Sequence, residues 1–151
     1  MQVTLSAIFT ERARTRSEPT ELLFADYLQR IDRFTPTNSH VLSSEADFFS
    51  WLDRQSGRTP VHLVLFDSRG KQFSSEELAQ TISKLRDSGT QRLVLAIGPA
   101  DGWSDAARQR ADLLLSFGRI TLPHQLARVV LAEQIYRAFT ILSGHPYHSG
   151  H

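Results

Sequence analysis

The sequence predicts an α/β fold: a mostly parallel sheet with helices on both faces. Three observations carry that prediction. Segments of strand character alternate with segments of helical spacing along all 151 residues. The strongest strand segments, 61–66, 92–97 and 112–117, are apolar at nearly every position, as strands covered on both faces by crossover helices must be. No linker, internal repeat or low-complexity stretch divides the chain, so residues 1–151 are expected to form a single domain.

The elements follow in order. Val3, Leu5, Ala7 and Phe9 alternate with polar neighbours, which predicts a strand over 2–9, followed by a polar loop through Arg16. Ser17 to Glu21 starts a helix with Pro19 in its first turn. Leu22, Leu23, Tyr27, Leu28 and Ile31 continue it to about Arg33. The stretch 35–38 breaks the chain, and 40–43 is a short strand of weak signal. Ser44 caps a helix carrying Phe48, Phe49 and Leu52 that ends near Gly57. After the strand 61–66 and a turn over 67–70, Ser74 and Glu77 have capping-box spacing, so a helix runs from there to Gly89. The strand 92–97 leads into a tight loop over 98–102, and Ser104 caps a short helix to Ala111. The strand 112–117 and a loop over 118–123 precede the best helix of the chain, 124–143, with Leu126, Val129, Val130, Ile135, Phe139 and Leu142 on one side. The tail from Gly144 onward is non-helical.

Composition narrows the function classes. There is no cysteine, which excludes disulfides, thiolate metal sites and cysteine nucleophiles together. No apolar run approaches a membrane span, and the first 16 residues, with Arg12, Arg14 and Arg16, lack a signal-peptide core. A soluble cytoplasmic protein is expected, with no membrane partner. The net charge of +1 conceals a distribution: +2 over 1–16, −4 over 17–107 and +3 over 108–151. Fifteen of the 17 basic residues are Arg, a side chain suited to phosphate and carboxylate, although a codon bias produces the same excess.

In a parallel sheet, ligands sit at the carboxyl ends of the strands, here the loops after Phe66, Ile97 and Phe117. Gly98 and Gly102 allow close backbone approach, but their spacing is neither a dinucleotide fingerprint nor a P-loop, and alone they read as a plain turn. His145 and His148 are separated by Pro146 and have no acidic companion downstream of Glu133, so no metal is expected. A hydrolase elbow is missing. Tyr147 flanked by histidines suits stacking on, and hydrogen bonding to, an extruded base, although chain ends are commonly frayed.

Two segments are specific. Residues 115–139, LSFGRITLPHQLARVVLAEQIYRAF, closely resemble the signature of the RlmH family, and 144–148, GHPYH, resemble its terminus. LFDSRGK at 65–71, SSEELA at 74–79 and LAIG at 95–98 followed by Gly102 fit in order. The resemblance spans the chain and is strong from about residue 61. It implies a SPOUT-type fold with a C-terminal trefoil knot, a homodimer, and S-adenosyl-L-methionine as the cofactor. It also implies methylation of N3 of a pseudouridine in helix 69 of 23S rRNA on the assembled ribosome. By position, Phe66 matches the apolar residue packed at the cofactor and Gly98 the glycine whose backbone borders it. Phe117, Gly118, Arg119, Ile120, Thr121 and Leu122 match the loop that wraps it. His124, Arg128, Arg137, Tyr147 and His148 match polar positions around the substrate pocket.

The implied chemistry assigns His148 or His124 to the N3 proton, Arg128 or Arg137 to phosphate or the developing anion, and Tyr147 to stacking. Simpler readings stand beside these: His124 as a helix cap, Arg137 paired only with Glu133, and the apolar face of 124–142 as core instead of dimer contact. The chain departs from the family pattern at Pro99, at Ser149, and at Phe9 followed by Thr10. Arg12, Arg14 and Arg16 offer replacement charge. The alternatives are a diverged SPOUT enzyme with another RNA target and a non-catalytic ribosome-binding module.

Overall fold

A computed structural model describes residues 1–9, 19–55, 57 and 59–149. The loop expected through Arg16, the first two residues of the helix start expected at Ser17, and the three N-terminal arginines lie outside the described residues. Five strands form one sheet in the order β2-β1-β4-β3-β5, every pair parallel. They are β1 (Gln2–Ile8), β2 (Thr37–Leu42), β3 (Val61–Gln72), β4 (Arg92–Ile97) and β5 (Leu113–Ser116). The helices are α1 (Pro19–Asp32), α2 (Glu45–Gln55), α3 (Ser75–Asp87), α4 (Asp105–Arg110) and α5 (His124–Ser143).

The period-two alternation of strand side chains explains the doubly apolar runs. On one face Leu5, Val64, Phe66, Leu93 and Leu95 pack with α1, α3 and α5. On the other, Leu63, Leu65, Val94 and Ala96 pack with Phe48, Trp51 and Leu52 of α2 and with Trp103 and Ala107 at α4. Local signals set the helix limits. Ser74 accepts from the Glu77 amide at 3.1 Å while the Glu77 carboxylate accepts from the Ser74 amide at 3.0 Å, so the expected capping box is present. Gly144, at φ 73°, closes α5 in the left-handed conformation.

Three expectations need correction. β2 begins at Thr37, inside the expected break. It is a polar edge strand held by backbone pairing to β1 and by Thr4 donating to Asn38 Oδ1 at 2.6 Å, and so it lacks an apolar pattern. The expected turn at 67–70 is a bend within β3. Leu115 pairs with Phe66 and again with Lys71, and a Cβ at Gly70 would lie 2.5–2.7 Å from the Leu115 backbone, so only glycine fits the crossing. Nor is α5 amphipathic in the simple sense. Wedged between α1, α3 and the sheet, it buries Ala127, Leu131, Ala132 and Ala138 besides Val129, Ile135 and Phe139, while Leu126 is exposed. Among the described residues, no helix is long and apolar enough to cross a membrane.

Candidate active site

The carboxyl ends of β3, β4 and β5 open into a cleft of about 810 Å³. Phe66 closes the apolar run of β3, Gly98 follows β4 directly, and Phe117, Gly118, Arg119, Ile120, Thr121 and Leu122 form the loop after β5. All eight line this cleft, and so does His124. An adjoining lobe of about 370 Å³ shares Phe66, Phe117, Gly118 and Leu122 and runs toward Ser75 and Gln134, whose side chains meet at 2.6 Å. The loop after β5 is set at its entrance. Ser116 Oγ accepts from the Gly118 amide and donates to the Gly118 carbonyl, both at 3.0 Å, and Gly118 sits at φ 109°, where a side chain is disfavoured. His124 opens α5 without capping it. Its Nε2 meets the Gly98 carbonyl, and its ring lies edge-on to Phe9 at 5.4 Å.

One cleft wall escaped the sequence reading. Asp67 is buried and accepts from the Arg69 amide at 3.0 Å, Arg69 Nε at 2.7 Å, Arg69 Nη2 at 2.9 Å and the Trp103 amide at 3.1 Å. The Arg69 guanidinium, joined by these amides, holds the carboxyl down at about 2 against the opposing effect of burial. Trp103 Nε1 donates to the Phe66 carbonyl at 3.0 Å, and its indole lies 2.6–2.8 Å from where a Cβ on Gly98 would stand. Gly98 is therefore glycine because an indole fills that space. Pro99 contributes its carbonyl, which accepts from the Gly102 amide at 2.9 Å. The cue in the sequence was a Trp after a Gly-rich loop, but its partners lie 36 and 37 positions away.

The polar residues matched to the substrate pocket do not gather in the cleft, apart from His124. Arg137, Tyr147 and His148 form a cluster on α5 and the tail. Arg137 pairs with Glu133 at 2.6 Å, as the i,i+4 spacing allows, and lies 4.9 Å from the centre of the Tyr147 ring. The Tyr147 hydroxyl donates to Glu133 Oε1 at 3.0 Å and stands 3.4 Å from the Tyr27 hydroxyl. Burial and these oxygens push its pKa well up. His148 Nε2 faces Glu76 Oε1 at 2.7 Å, and its Nδ1 lies 3.0 Å from Arg137 Nη1. A guanidinium can only donate, so Nδ1 accepts and Nε2 carries the proton given to Glu76. That contact holds the Glu76 carboxyl below its ordinary range. Arg128 stands in a third place, buried against α1, paired with Glu21 at 2.6 Å and 3.7 Å above the Phe24 ring. Among the described residues, no three His, Asp or Glu side chains group as metal ligands do.

Comparison with known proteins fits this geometry. The family described as "Predicted SPOUT methyltransferase" matches residues 1–148. The chain is 49% identical over 138 residues to the ribosomal RNA large subunit methyltransferase H of Koribacter versatilis, covering 91% of this chain and 94% of the relative. It is 59% identical over 148 residues to the protein of the same description from a Chelativorans species, covering 89% and 86%. A probable methylase family protein of known structure from Haemophilus influenzae shares the fold. Its TM-score is 0.56 at 8% identity, covering 97% of this chain and 67% of that one. The chain belongs to the RlmH family of SPOUT methyltransferases.

Proposed function

We propose that this protein is an S-adenosyl-L-methionine-dependent methyltransferase of 23S ribosomal RNA, with the cleft at the ends of β3, β4 and β5 as its cofactor site. The observation that carries the reading is the convergence of Phe66, Gly98 and the 117–122 loop on one cleft, in a chain that matches that family over residues 1–148. The lining suits an adenosyl group. Phe66, Ile97, Phe117 and Leu122 supply apolar surface, and the backbone of the two loops supplies hydrogen-bonding groups without a charged signature. When bound, the cofactor supplies an electrophilic methyl group on its sulfonium.

The finer reading is methylation of N3 of a pseudouridine in helix 69 on the assembled ribosome, by a cytoplasmic homodimer. Pseudouridine N3 must lose a proton for transfer. His124 stands at the cleft, and with Nε2 donating to the Gly98 carbonyl its neutral ring keeps a lone pair at Nδ1. His148 takes that role only if the tail leaves Glu76 and Arg137, because both its ring nitrogens are engaged within its own chain. A second subunit gives the tail, with Tyr147 for stacking and Arg137 for phosphate, a cleft other than its own to reach. Arg128 serves this reading as the anchor of α1. The C-terminal trefoil knot that the family implies belongs to this finer reading.

The test is mass mapping of helix 69 from a deletion strain, with methylation of those ribosomes by the purified protein and labelled cofactor. A missing methyl group restored in vitro is the expected result. Methyl transfer to a different RNA would point to a diverged target. No calorimetric binding of S-adenosylhomocysteine would leave a ribosome-binding module.

A further inference from the structure

The two loops that wall the cleft are tied together by one compact device. Asp67 and Arg69 lie just past the apolar run of β3, while Trp103 ends the loop that follows β4. Asp67 takes four donors, three from Arg69 and one from the Trp103 amide. Arg69 Nη2 also donates to the Trp103 carbonyl at 3.0 Å, and Arg108 Nη1 reaches the same oxygen at 3.0 Å. The indole closes the circuit by donating to the Phe66 carbonyl from beneath Gly98. Asp67, Arg69, Gly98 and the 99–102 turn all face the cleft.

We infer that Asp67 and Arg69 are positioning residues for cofactor binding, acting through Trp103 to fix the shape of the 98–102 loop. The inference rests on the reading of the cleft as the adenosyl site. Physical economy supports it. A buried carboxylate is costly unless its lone pairs are used, and this one takes two bonds from the Arg69 guanidinium and one from a backbone amide at each of the two walls, Arg69 and Trp103. The guanidinium suits the task because its planar fork takes a carboxylate and a carbonyl together, which a lysine cannot copy. Within the loop the Gly102 amide donates to the Pro99 carbonyl at 2.9 Å, and His124 meets the Gly98 carbonyl at its near end. Pro99 has no amide proton and Gly102 sits at φ 89°, so the loop's far end is fixed from Trp103. The device acts on the shape of the cleft wall, so its effect is expected in cofactor affinity.

The experiment uses the full-length chain with Asp67→Asn, Arg69→Gln and Arg69→Lys, S-adenosylhomocysteine as calorimetric probe, and steady-state methylation of ribosomes. The expected result is a Kd for S-adenosylhomocysteine weakened on the order of tenfold. The cofactor KM should rise with it, and Arg69→Lys should fail to restore either. In a Trp51→Phe background, the Trp103 emission should shift in the variants, which reports the loop directly. A structural defect alone would reduce the active fraction, lowering kcat and leaving KM unchanged, and that pattern would overturn the inference. So would wild-type affinity in both Asp67→Asn and Arg69→Gln. Should Asp67→Asn fail to fold, Trp103→Phe, which keeps an aromatic ring but deletes the bond to Phe66 and part of the indole packed under Gly98, carries the same expectation. Absence of binding by the wild-type protein would instead overturn the cofactor reading itself.

Discussion

The rings of Phe66 and Phe117 stack at 16° with centroids 4.6 Å apart, joining the end of the apolar run of β3 to the start of the loop after β5. Both rings line the cleft and its adjoining lobe. Phe117→Ala removes one leaf of that stack and opens the partition between the two spaces. Such pairs add about 0.5–1.5 kcal/mol beyond buried area. Calorimetry with S-adenosylhomocysteine should show about tenfold weaker binding. Urea unfolding should show a loss of about 1–2 kcal/mol, because the ring is only partly buried.

Gly70 makes a sharper prediction. A methyl group there meets the backbone of Leu115, which cannot swing aside as a flexible side chain would. Gly70→Ala should destabilise the fold by about 1–3 kcal/mol in urea unfolding. Hydrogen exchange should accelerate most in β5. An unchanged unfolding midpoint would mean that the two strands do not cross this closely.

Asp67 sets a pH signature. Its folded-state pKa, about 2, lies below the ordinary 3.8 of an aspartate, so its stabilisation is present above pH 4 and drains away as pH falls toward 2. A shift of that size is worth about 2 kcal/mol, reduced toward about 1 by the half-exposed Arg69 partner. Asp67→Asn should therefore be less stable than wild type at pH 7, and the gap should narrow between pH 4 and pH 3 in urea titrations. A gap independent of pH would assign the difference to packing.

Glu21 and Arg128 tie α1 to α5. Glu21→Ala removes a carboxylate partner from a buried guanidinium and should cost about 2–3 kcal/mol. Arg128→Met, which keeps the bulk beside Phe24 without the charge, should cost less than Arg128→Ala. The readout is urea unfolding with the four proteins side by side. Equal losses for Met and Ala would show that the charge, not the volume, matters at this site.

These sites also mark how far the fold is legible in the amino-acid sequence. The capping box at Ser74 and Glu77 was legible because both halves lie within one turn. The span of α5 was legible from Pro123 before it and Gly144 after it. The cleft loops were legible because parallel strands put their ligand loops at one end. The Asp67–Arg69–Trp103 device was not, since nothing local in the sequence ties residue 67 to residue 103. Gly98 illustrates the limit: the sequence suggests close backbone approach there, and the group that approaches is an indole of the same chain. β2 was half-visible because backbone pairing, not side-chain hydropathy, makes an edge strand.

The tail cluster has a thermodynamic consequence. Tyr147 and His148 are already bound, to Glu133, Arg137 and Glu76 of their own chain. Any RNA that engages them competes with an internal ligand at very high effective concentration. If that self-association is worth about 2 kcal/mol, only about 3% of chains carry a released tail, and the apparent affinity for RNA is about thirtyfold weaker than the intrinsic one. The same occupancy protects selectivity: a short RNA fragment offering only a base to stack on does not repay the release, whereas a large folded surface with many contacts does.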